Sequence, residues 1–226
     1  MNKEILNMSP SHKHILQKTK QLFLENKGLI LLVFLMFATR SSFADWYLVP
    51  TGSMKPTIVE GDRILVNKMA YRLELPFSDI SLMETGSPAR GDIVVFNSQA
   101  ANNRLVKRLI GLPGDKIAMD NNRLFINGIA LAYETIDGRS TEQLDKINHP
   151  LQFVVMDRPA DNFAPVVVPE DHYLVLGDNR NNSADSRFIG FIPAAELQGK
   201  AIKVLVSLDA NNYYLPRTER SFMPLI

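Results

Sequence analysis

An uncharged, apolar stretch near the N-terminus divides the chain into two unequal parts. Residues 28–38 of the 226-residue sequence contain no charged side chain. In the arm before them, five lysines at positions 3, 13, 18, 20 and 27 outnumber the two glutamates at positions 4 and 25. Positively charged flanks stay on the cytoplasmic side of a membrane, so we predict a cytoplasmic arm over residues 1–27 and export of everything that follows the stretch.

The apolar stretch fits either a retained membrane anchor or a cleavable signal peptide. A bilayer span needs about 20 apolar residues, and Arg40 interrupts this one unless its long side chain reaches the far interface. If Arg40 reaches the interface in this way, residues 28–44 form a single membrane helix that anchors the chain. The alternative rests on Ser42 and Ala44, which put small residues at both positions that a processing enzyme reads. Composition alone leaves the two alternatives open.

Beyond Trp46 the sequence is typical of a mainly β domain. Short runs rich in Val, Ile and aromatic residues alternate with Gly, Pro and Asn, which favours antiparallel strands joined by turns. Asn127-Gly128 predicts a tight hairpin, and residues 111–115 predict a rigid turn. The predicted strands are 63–66, 92–96, 104–110, 124–126, 153–156, 173–176 and 201–208.

The strand pattern becomes weaker between Asp120 and Asp171. We interpret residues 120–171 as an insertion, a smaller β-rich subdomain within an exported domain of residues 45–226. Inside it, residues 141–149 fit either a short helix or a loop. The predicted fold is therefore one N-terminal membrane helix followed by a mainly antiparallel β domain that carries this insertion.

Composition excludes several classes of function. The formal net charge is +1, and the basic group Arg104, Lys107 and Arg108 is too sparse for a nucleic-acid-binding face. The chain has no cysteine, so it has no disulfide, no thiol nucleophile and no thiolate metal site. No pair of histidines in the exported part shows metal-ligand spacing. We therefore expect neither a nucleic-acid partner nor a metal.

Residues 50–57 hold the candidate nucleophile. The octapeptide Pro-Thr-Gly-Ser-Met-Lys-Pro-Thr places Ser53 directly after Gly52, between two prolines that stiffen the flanks. Such a turn presents a hydroxyl outward, a few residues past the apolar stretch. An ordinary surface turn rich in Pro, Gly and Ser is the alternative interpretation.

The histidines are poor candidates for the base that a serine nucleophile needs. His12 and His14 precede the apolar stretch, which puts them on the other side of a membrane from Ser53. His149 and His172 lie in no recognisable motif, so we expect surface or structural roles for both.

Lys107 is the remaining candidate base. Strand alternation over residues 104–110 puts its side chain on one face with Leu105 and Leu109. An apolar setting disfavours the ammonium form and lowers a lysine pKa toward neutrality, whereas an arginine cannot lose its proton in a protein. The alternative is an ordinary edge-strand lysine whose amine lies in water.

A polar segment at residues 177–187 directly follows an apolar strand. Its sequence, Gly-Asp-Asn-Arg-Asn-Asn-Ser-Ala-Asp-Ser-Arg, suits a loop with many internal hydrogen bonds and an ion pair between Asp185 and Arg187. A solvated loop is the alternative. The Asp and Asn positions do not match the EF-hand pattern of a calcium site.

Together, four segments closely resemble the sequence boxes of bacterial type I signal peptidases, also called leader peptidases. The segments are residues 50–57, Arg-Gly-Asp-Ile-Val-Val-Phe at 90–96, Val-Lys-Arg-Leu-Ile-Gly-Leu-Pro-Gly-Asp at 106–115, and residues 177–187. The resemblance spans residues 40–201 and is loosest over the insertion. It implies a membrane-anchored serine endopeptidase with a Ser/Lys dyad and a mostly β catalytic domain, and it favours the retained anchor over residues 28–44.

The resemblance also implies roles for single residues. Ser53 matches the nucleophile and Lys107 matches the general base. Thr51 matches the position whose hydroxyl forms the oxyanion hole with the Ser53 N–H; many relatives have serine there, and threonine keeps the hydroxyl. Ser183 matches the serine that orients the lysine amine.

The remaining correspondences concern support and substrate binding. Asp185 and Arg187 match a supporting ion pair, whereas Asn181 stands where relatives often have aspartate. The positions that match the surroundings of the shallow pockets for small substrate side chains are Val49, Pro50, Met54, Ile58, Leu105 and Val106.

By this resemblance, we expect removal of signal peptides from exported preproteins on the outer (periplasmic) face of the bacterial cytoplasmic (inner) membrane. The implied partners are signal peptides and the lipid bilayer, and no cofactor is implied. One alternative is a specialised peptidase of the same fold that serves a secretion or conjugation apparatus. Another is a catalytically silent exported binding domain. A self-cleaving Ser/Lys repressor would need a DNA-binding helix pair, which the N-terminal segment does not offer.

Overall fold

A computed structural model describes residues 18–19, 21–78, 80–153 and 162–226. His12, His14 and most of the predicted strand 153–156 lie outside these ranges. Residues 18–19 and 21–25 are helical, and two further α-helices are α1 (Lys27–Ser42) and α2 (Ser186–Ile189). Short 3-10 helices span Lys68–Ala70, Arg180–Asn182, Ala194–Glu196 and Thr218–Arg220.

Strands make up most of the remaining structure. They are β1 (Ala44–Leu48), β2 (Asp62–Asn67), β3 (Arg72–Glu74), β4 (Ser81–Glu84), β5 (Ile93–Ser98), β6 (Asn103–Gly111), β7 (Lys116–Asp120), β8 (Arg123–Ile126), β9 (Ile129–Ala130), β10 (Ala132–Ile136), β11 (Arg139–Leu144), β12 (Ile147–Leu151), β13 (Phe163–Val167), β14 (His172–Leu176), β15 (Ile192–Pro193), β16 (Leu197–Asp209) and β17 (Leu215–Pro216). The prediction of a mainly antiparallel β protein is confirmed.

An eight-stranded sheet forms the centre of the molecule. Its strand order is β1-β2-β16-β5-β6-β14-β15, and β17 pairs with β16. The long strand β16 joins the two halves, because it pairs with β2 along one edge and with β5 along the other. In β5, Ile93 and Val95 pack in one hydrophobic cluster, whereas Val94 and Phe96 pack in another. Neighbouring side chains of a strand point to opposite faces, so this sheet has a core on each side.

Two smaller sheets follow β6. One has the order β10-β11-β12, and the other has the order β13-β7-β8-β9. Asn127 and Gly128, with φ of 52° and 83°, form the turn between β8 and β9, which confirms the hairpin predicted from that pair. The four-stranded sheet packs onto the central sheet through a third cluster that includes Leu124, Leu174 and Leu176.

The interpretation of residues 141–149 as a short helix or a loop is wrong. β11 and β12 form an antiparallel hairpin there, with Leu144 opposite Ile147. β11 does alternate between buried and less buried positions, and Leu144 is fully buried. However, the other buried position of β11 is occupied by Glu142. Because this residue is charged, the two-residue alternation of a strand is not visible as an alternation of apolar and polar residues.

Helix α1 is apolar and exposed. Its sequence is Lys-Gly-Leu-Ile-Leu-Leu-Val-Phe-Leu-Met-Phe-Ala-Thr-Arg-Ser-Ser, and its large apolar side chains are 40% to 64% exposed. Arg40 bonds Asp45 at 2.7 Å, and its guanidinium lies 4.3 Å from the centre of the Trp46 ring. Within the described ranges, no helix reaches the length and hydropathy required of a membrane span.

Candidate active site

Ser53 lies in the turn that joins β1 to β2. The ends of this turn are closed by backbone bonds of Val49, whose N–H donates to Asp62 O at 2.9 Å and whose carbonyl accepts from Gly61 at 3.1 Å. Met54 is 1% exposed and packs in the core cluster that also contains Val49. A buried methionine next to the serine therefore fixes the turn against the central sheet, while Ser53 itself remains partly exposed.

Lys107 reaches Ser53 from the neighbouring strand β6. Its Nζ donates a hydrogen bond to Ser53 Oγ at 2.7 Å and a second to the Val106 carbonyl at 3.1 Å. The lysine is 2% exposed. Burial lowers its pKa to about 8, although the charges of Asp185 and Asp178 oppose the shift. An amine with this pKa is neutral in a substantial fraction of molecules near pH 8 and can accept a proton from the serine hydroxyl.

The loop after β14 also supports the Ser53 turn. The Asn179 N–H donates to the Ser53 carbonyl at 3.0 Å, and the Asn179 side-chain amide donates to the Gly52 carbonyl at 2.9 Å. Gly177 allows this close approach, because a Cβ there would lie 2.4 Å from Ser53 O and 2.3 Å from Ser183 Oγ. Any larger residue at position 177 would push the loop away from the turn.

Asp185 and Arg187 form the ion pair expected from the sequence. Arg187 Nε and Nη2 donate to the two carboxylate oxygens of Asp185 at 2.8 and 2.9 Å. Asp185 is fully buried, and it also accepts from the backbone N–H of Gly177 at 2.9 Å. The pair thus holds the start of the loop whose Asn179 contacts the serine turn.

Two predicted site residues make no hydrogen bond in the site. Ser183 is 4% exposed, and its Oγ has no partner among the described residues, so the expected bond to Lys107 is not formed. Its position beside Gly177 keeps it within the site. Thr51 is exposed and lies at the edge of the cleft beside Ser53.

A cleft of about 250 Å³ opens beside Ser53 and Lys107. Of the predicted pocket residues, Ile58 does not line it, because Ile58 is fully buried in the core cluster with Val49 and Met54. Residues that the sequence did not indicate also line the cleft, including Tyr47, whose ring lies 4.3 Å from the Arg104 guanidinium. The lining residues are Tyr47, Leu48, Val49, Pro50, Thr51, Ser53, Met54, Asn103, Arg104, Leu105, Val106 and Lys107.

His149 is a buried residue of the insertion. It is 0% exposed, and its Nε2 lies 3.2 Å from Glu142 Oε2. This agrees with the structural role expected for it, but no local pattern in the sequence indicated its partner. His172 lies at the start of β14, where its Nδ1 contacts the Glu170 carbonyl at 2.8 Å. The described ranges contain no cluster of His, Asp and Glu side chains that could hold a metal ion.

Comparison with known proteins identifies the family of the chain. The family described as signal peptidase, peptidase S26, matches residues 25–206. The chain is 34% identical to a signal peptidase I of Pseudomonas fluorescens over 80% of this chain and 71% of that protein. It is 35% identical to signal peptidase I P of Bacillus subtilis subsp. natto, over 81% and 88% of the two chains. A signal peptidase I crystal structure from Enterococcus faecalis V583 matches with 33% identity and a TM-score of 0.35, over 50% of this chain and 96% of that one. The extent of the family match shows that the chain belongs to the peptidase S26 family of signal peptidases.

Proposed function

We propose that this protein is a serine endopeptidase that removes signal peptides from exported preproteins, with Ser53 as nucleophile and Lys107 as general base. One observation carries the proposal: the buried Lys107 amine lies 2.7 Å from the Ser53 hydroxyl. Family membership supplies the substrate class, because the named relatives are signal peptidases. A buried lysine in direct contact with a serine hydroxyl forms a pair of base and nucleophile that needs no histidine.

In the first half of the reaction, Ser53 Oγ attacks the carbonyl carbon of the bond to be cut. Neutral Lys107 takes the hydroxyl proton, and the Thr51 hydroxyl with the Ser53 N–H stabilises the negative oxygen that forms. The protonated amine then gives its proton to the leaving amine as the peptide bond breaks. The product of this half is an ester between the signal peptide and Ser53.

In the second half, water releases the signal peptide. Lys107, neutral again, takes a proton from a water molecule, and the resulting hydroxide attacks the ester carbonyl. The same two groups stabilise the second oxyanion, and the proton returns to Ser53 Oγ as the ester bond breaks. Asp185 and Arg187 support the loop, and Ser183, which lies beside Gly177, is the residue to which we assign the orientation of the amine.

The shape of the cleft supports a preference for small substrate side chains. Met54, Leu105 and Val106 line it close to Ser53, together with Val49 and Pro50. Large side chains on the substrate would need these residues to move, and Met54 is held in the core. The proposed specificity is therefore set by excluded volume near the bond that is cut.

We also propose that residues 28–44 anchor the chain in the bacterial cytoplasmic membrane, with the arm of residues 1–27 in the cytoplasm and residues 45–226 outside, on the periplasmic face. The support is the apolar, exposed surface of α1 and the family match that begins at residue 25. Residues 120–171 then form an inserted subdomain of the exported part. Because the substrate is held in the same bilayer, anchoring confines enzyme and substrate to one surface and raises their effective concentration.

The hairpin of β3 and β4 supports the same orientation. Its apolar side chains Leu75, Phe77, Ile80, Leu82 and Met83 are 43% to 61% exposed. The Phe77 ring lies 5.8 Å from the ring of Phe34 in α1, and the Phe77 N–H donates to Ser41 Oγ at 2.9 Å. A hairpin that runs beside α1 reaches the lipid region together with it.

Incubation of the detergent-solubilised full chain with a preprotein tests the activity. The expected result is one cut at the end of the signal peptide, identified by sequencing the new N-terminus, and no cut with Ser53→Ala. A folded wild-type chain without activity would indicate the silent binding domain. Cleavage of the preproteins of a single secretion system alone would indicate the specialised peptidase.

A further inference from the structure

Five buried charged or ionisable side chains join the insertion to the loop beside the candidate nucleophile. We call them the charge network: Arg108 from β6, Glu142 from β11, His149 from β12, and Asp178 and Arg180 from the loop after β14. None of them is more than 1% exposed. Burial of so many charges is costly unless each one is paired, so their arrangement requires an explanation.

Within the network, opposite charges contact one another. Arg108 donates to both oxygens of Asp178 at 2.8 Å, and Arg180 Nη2 donates to Glu142. His149 lies between the acids, with Nε2 3.2 Å from Glu142 and Nδ1 3.6 Å from Asp178. Burial alone would raise the pKa of Glu142, but Arg180 and His149 outweigh it and lower this pKa to about 2. Glu142 is therefore ionised, and it compensates the charge of Arg180.

Backbone bonds fix the same loop residues from the insertion side. The Gln152 N–H donates to the Asp178 carbonyl, and the Arg180 N–H donates to the Gln152 carbonyl, both at 2.9 Å. Gln152 directly follows β12, the strand of His149. The insertion thus holds the tripeptide from Asp178 to Arg180 by side chains and by backbone.

The middle residue of this tripeptide is the one that contacts the serine turn. Asn179 donates to the carbonyls of Gly52 and Ser53, whereas Lys107 bonds the Ser53 hydroxyl. Asp178 also accepts a hydrogen bond from Thr57, four residues beyond Ser53. The contacts that hold the tripeptide in place therefore also hold the Ser53 turn in place.

We propose that Glu142 and His149 are positioning residues for the reaction of Ser53. They act through Arg180 and Asp178 to hold Asn179, and Asn179 holds the Ser53 turn at bonding distance from Lys107. The insertion is in this account a structural part of the active site. This inference rests on the proposed role of Ser53 as nucleophile.

The test compares two acid-to-amide changes in the same hairpin. Glu142→Gln removes the carboxylate charge that pairs directly with the buried Arg180, whereas Asp145→Asn weakens only the contact of a 62% exposed carboxylate with Arg90. We expect Glu142→Gln to lower kcat by about tenfold to a hundredfold, the scale of a small misplacement of reacting groups, with KM for a preprotein peptide changed less than about twofold. Asp145→Asn should leave both constants unchanged. Circular dichroism and urea midpoints confirm that the compared samples are folded.

A double-mutant cycle with Asn179→Ala separates positioning from a general loss of structure. If Glu142 acts through Asn179, Glu142→Gln adds little further loss of kcat in the Asn179→Ala background. Equal losses in both backgrounds, or a folded Glu142→Gln chain with wild-type kcat, would overturn the proposal. Should Glu142→Gln not fold, Tyr133→Phe replaces it in the cycle, because it keeps the Glu142 charge and removes the hydroxyl that donates to Glu142 and accepts from the Leu124 N–H.

The Ser53→Ala variant, measured beside Glu142→Gln, distinguishes this inference from the proposed function. If Ser53→Ala still cleaved the preprotein, Ser53 would not be the nucleophile and both proposals would be overturned. An inactive Ser53→Ala chain beside a fully active, folded Glu142→Gln chain would leave the proposed function intact and overturn the positioning role alone.

Discussion

Lys107 lies opposite Val94 in the ladder between β5 and β6. Val94 is fully buried in the cluster that contains Leu109, so the lysine stem runs through apolar surroundings before its amine reaches Ser53. This placement makes the amine costly to charge and therefore available as a base. The first two predictions follow from it.

The rate of preprotein cleavage should rise with pH and level off above about 8. Lys107 must be neutral to accept the Ser53 proton, and burial lowers its pKa to about 8. A pH-rate profile of kcat/KM, taken where circular dichroism shows a folded chain, measures this limb. Lys107→Arg is the control, because it keeps the charge but cannot act as a base, and it should be as inactive as Ser53→Ala. An active, folded Lys107→Arg chain would rule out the Ser/Lys mechanism.

Lys107→Met should make the inactive protein more stable at neutral pH. The lysine pKa of about 8 lies below its unfolded value. Between the two pKa values the unfolded chain binds more protons, so the stability of the wild type rises with pH there and is lowest below pH 8. Burying a charged lysine lowers the free energy of unfolding by up to about 3 kcal/mol for a pKa shift of this size, and the uncharged methionine avoids that destabilisation. Urea titrations at pH 7 and at pH 10.5 should show a stabilisation that shrinks at the higher pH; equal differences at both would contradict the burial of a titrating amine.

Thr51→Ser should remain active, whereas Thr51→Val should lose about a hundredfold in kcat, the usual effect of removing one oxyanion donor. Valine has the shape of threonine without the hydroxyl, so the comparison isolates the hydrogen bond. Steady-state kinetics with one peptide substrate provide the measurement. Normal turnover by Thr51→Val would mean that other groups form the oxyanion hole.

Substrates with a large side chain next to the cut should be poor. We expect cleavage after a small residue, with another small residue two positions earlier, because Met54, Leu105 and Val106 line the cleft near Ser53. Phe in place of Ala at either position should nearly abolish cleavage at that bond, whereas the same change well outside the contacted segment should not. Mass spectrometry of the products reads the result, and equal cutting of both peptides would contradict the pocket assignment.

A fluorescent probe at Phe77 should report contact with lipid. The chain contains no cysteine, so Phe77→Cys provides a single labelling site on the β3-β4 hairpin, and Ile129→Cys, at a 72% exposed position, provides a matched control far along the chain. In the full chain reconstituted into vesicles, quenchers attached to lipid should dim the probe at 77 and not at 129. A third probe at Leu32 in α1 reports whether the anchor itself is in the bilayer. Quenching at 32 without quenching at 77 would place the hairpin in water.

Local sequence patterns were sufficient for much of the fold, whereas the pairing of Ser53 with Lys107 was expected from the resemblance of four separate segments to a known family. Strand alternation around Lys107 indicated an apolar face, and the Asn127-Gly128 turn identified a hairpin, since both signals are contained in a few neighbouring residues. The charge network could not be predicted. Glu142 and Arg180 are 38 positions apart, and no local pattern encodes a pairing that forms only when the insertion folds back onto the loop.

Ile58 shows a different limit of sequence reasoning. It was expected at the substrate cleft because its position matches one that surrounds the substrate pockets in the family that the sequence resembles. A backbone bond from Ile58 N–H to the Met54 carbonyl at 2.9 Å folds the chain back at this point, and Ile58 lies in the core. A match at one position of a family motif therefore did not determine whether the Ile58 side chain is exposed to the cleft.

Strand β1 connects helix α1 to the turn that carries Ser53. With α1 anchored as proposed, its last residue, Ser42, is followed almost at once by β1, which pairs with β2 along its whole length from Ala44 to Leu48 and cannot slide. Five residues of strand span about 16 Å. Under the proposed anchoring, the paired strand therefore keeps the start of the Ser53 turn within about 16 Å of the end of α1, so the substrate bond that is cut must come equally close to the lipid surface.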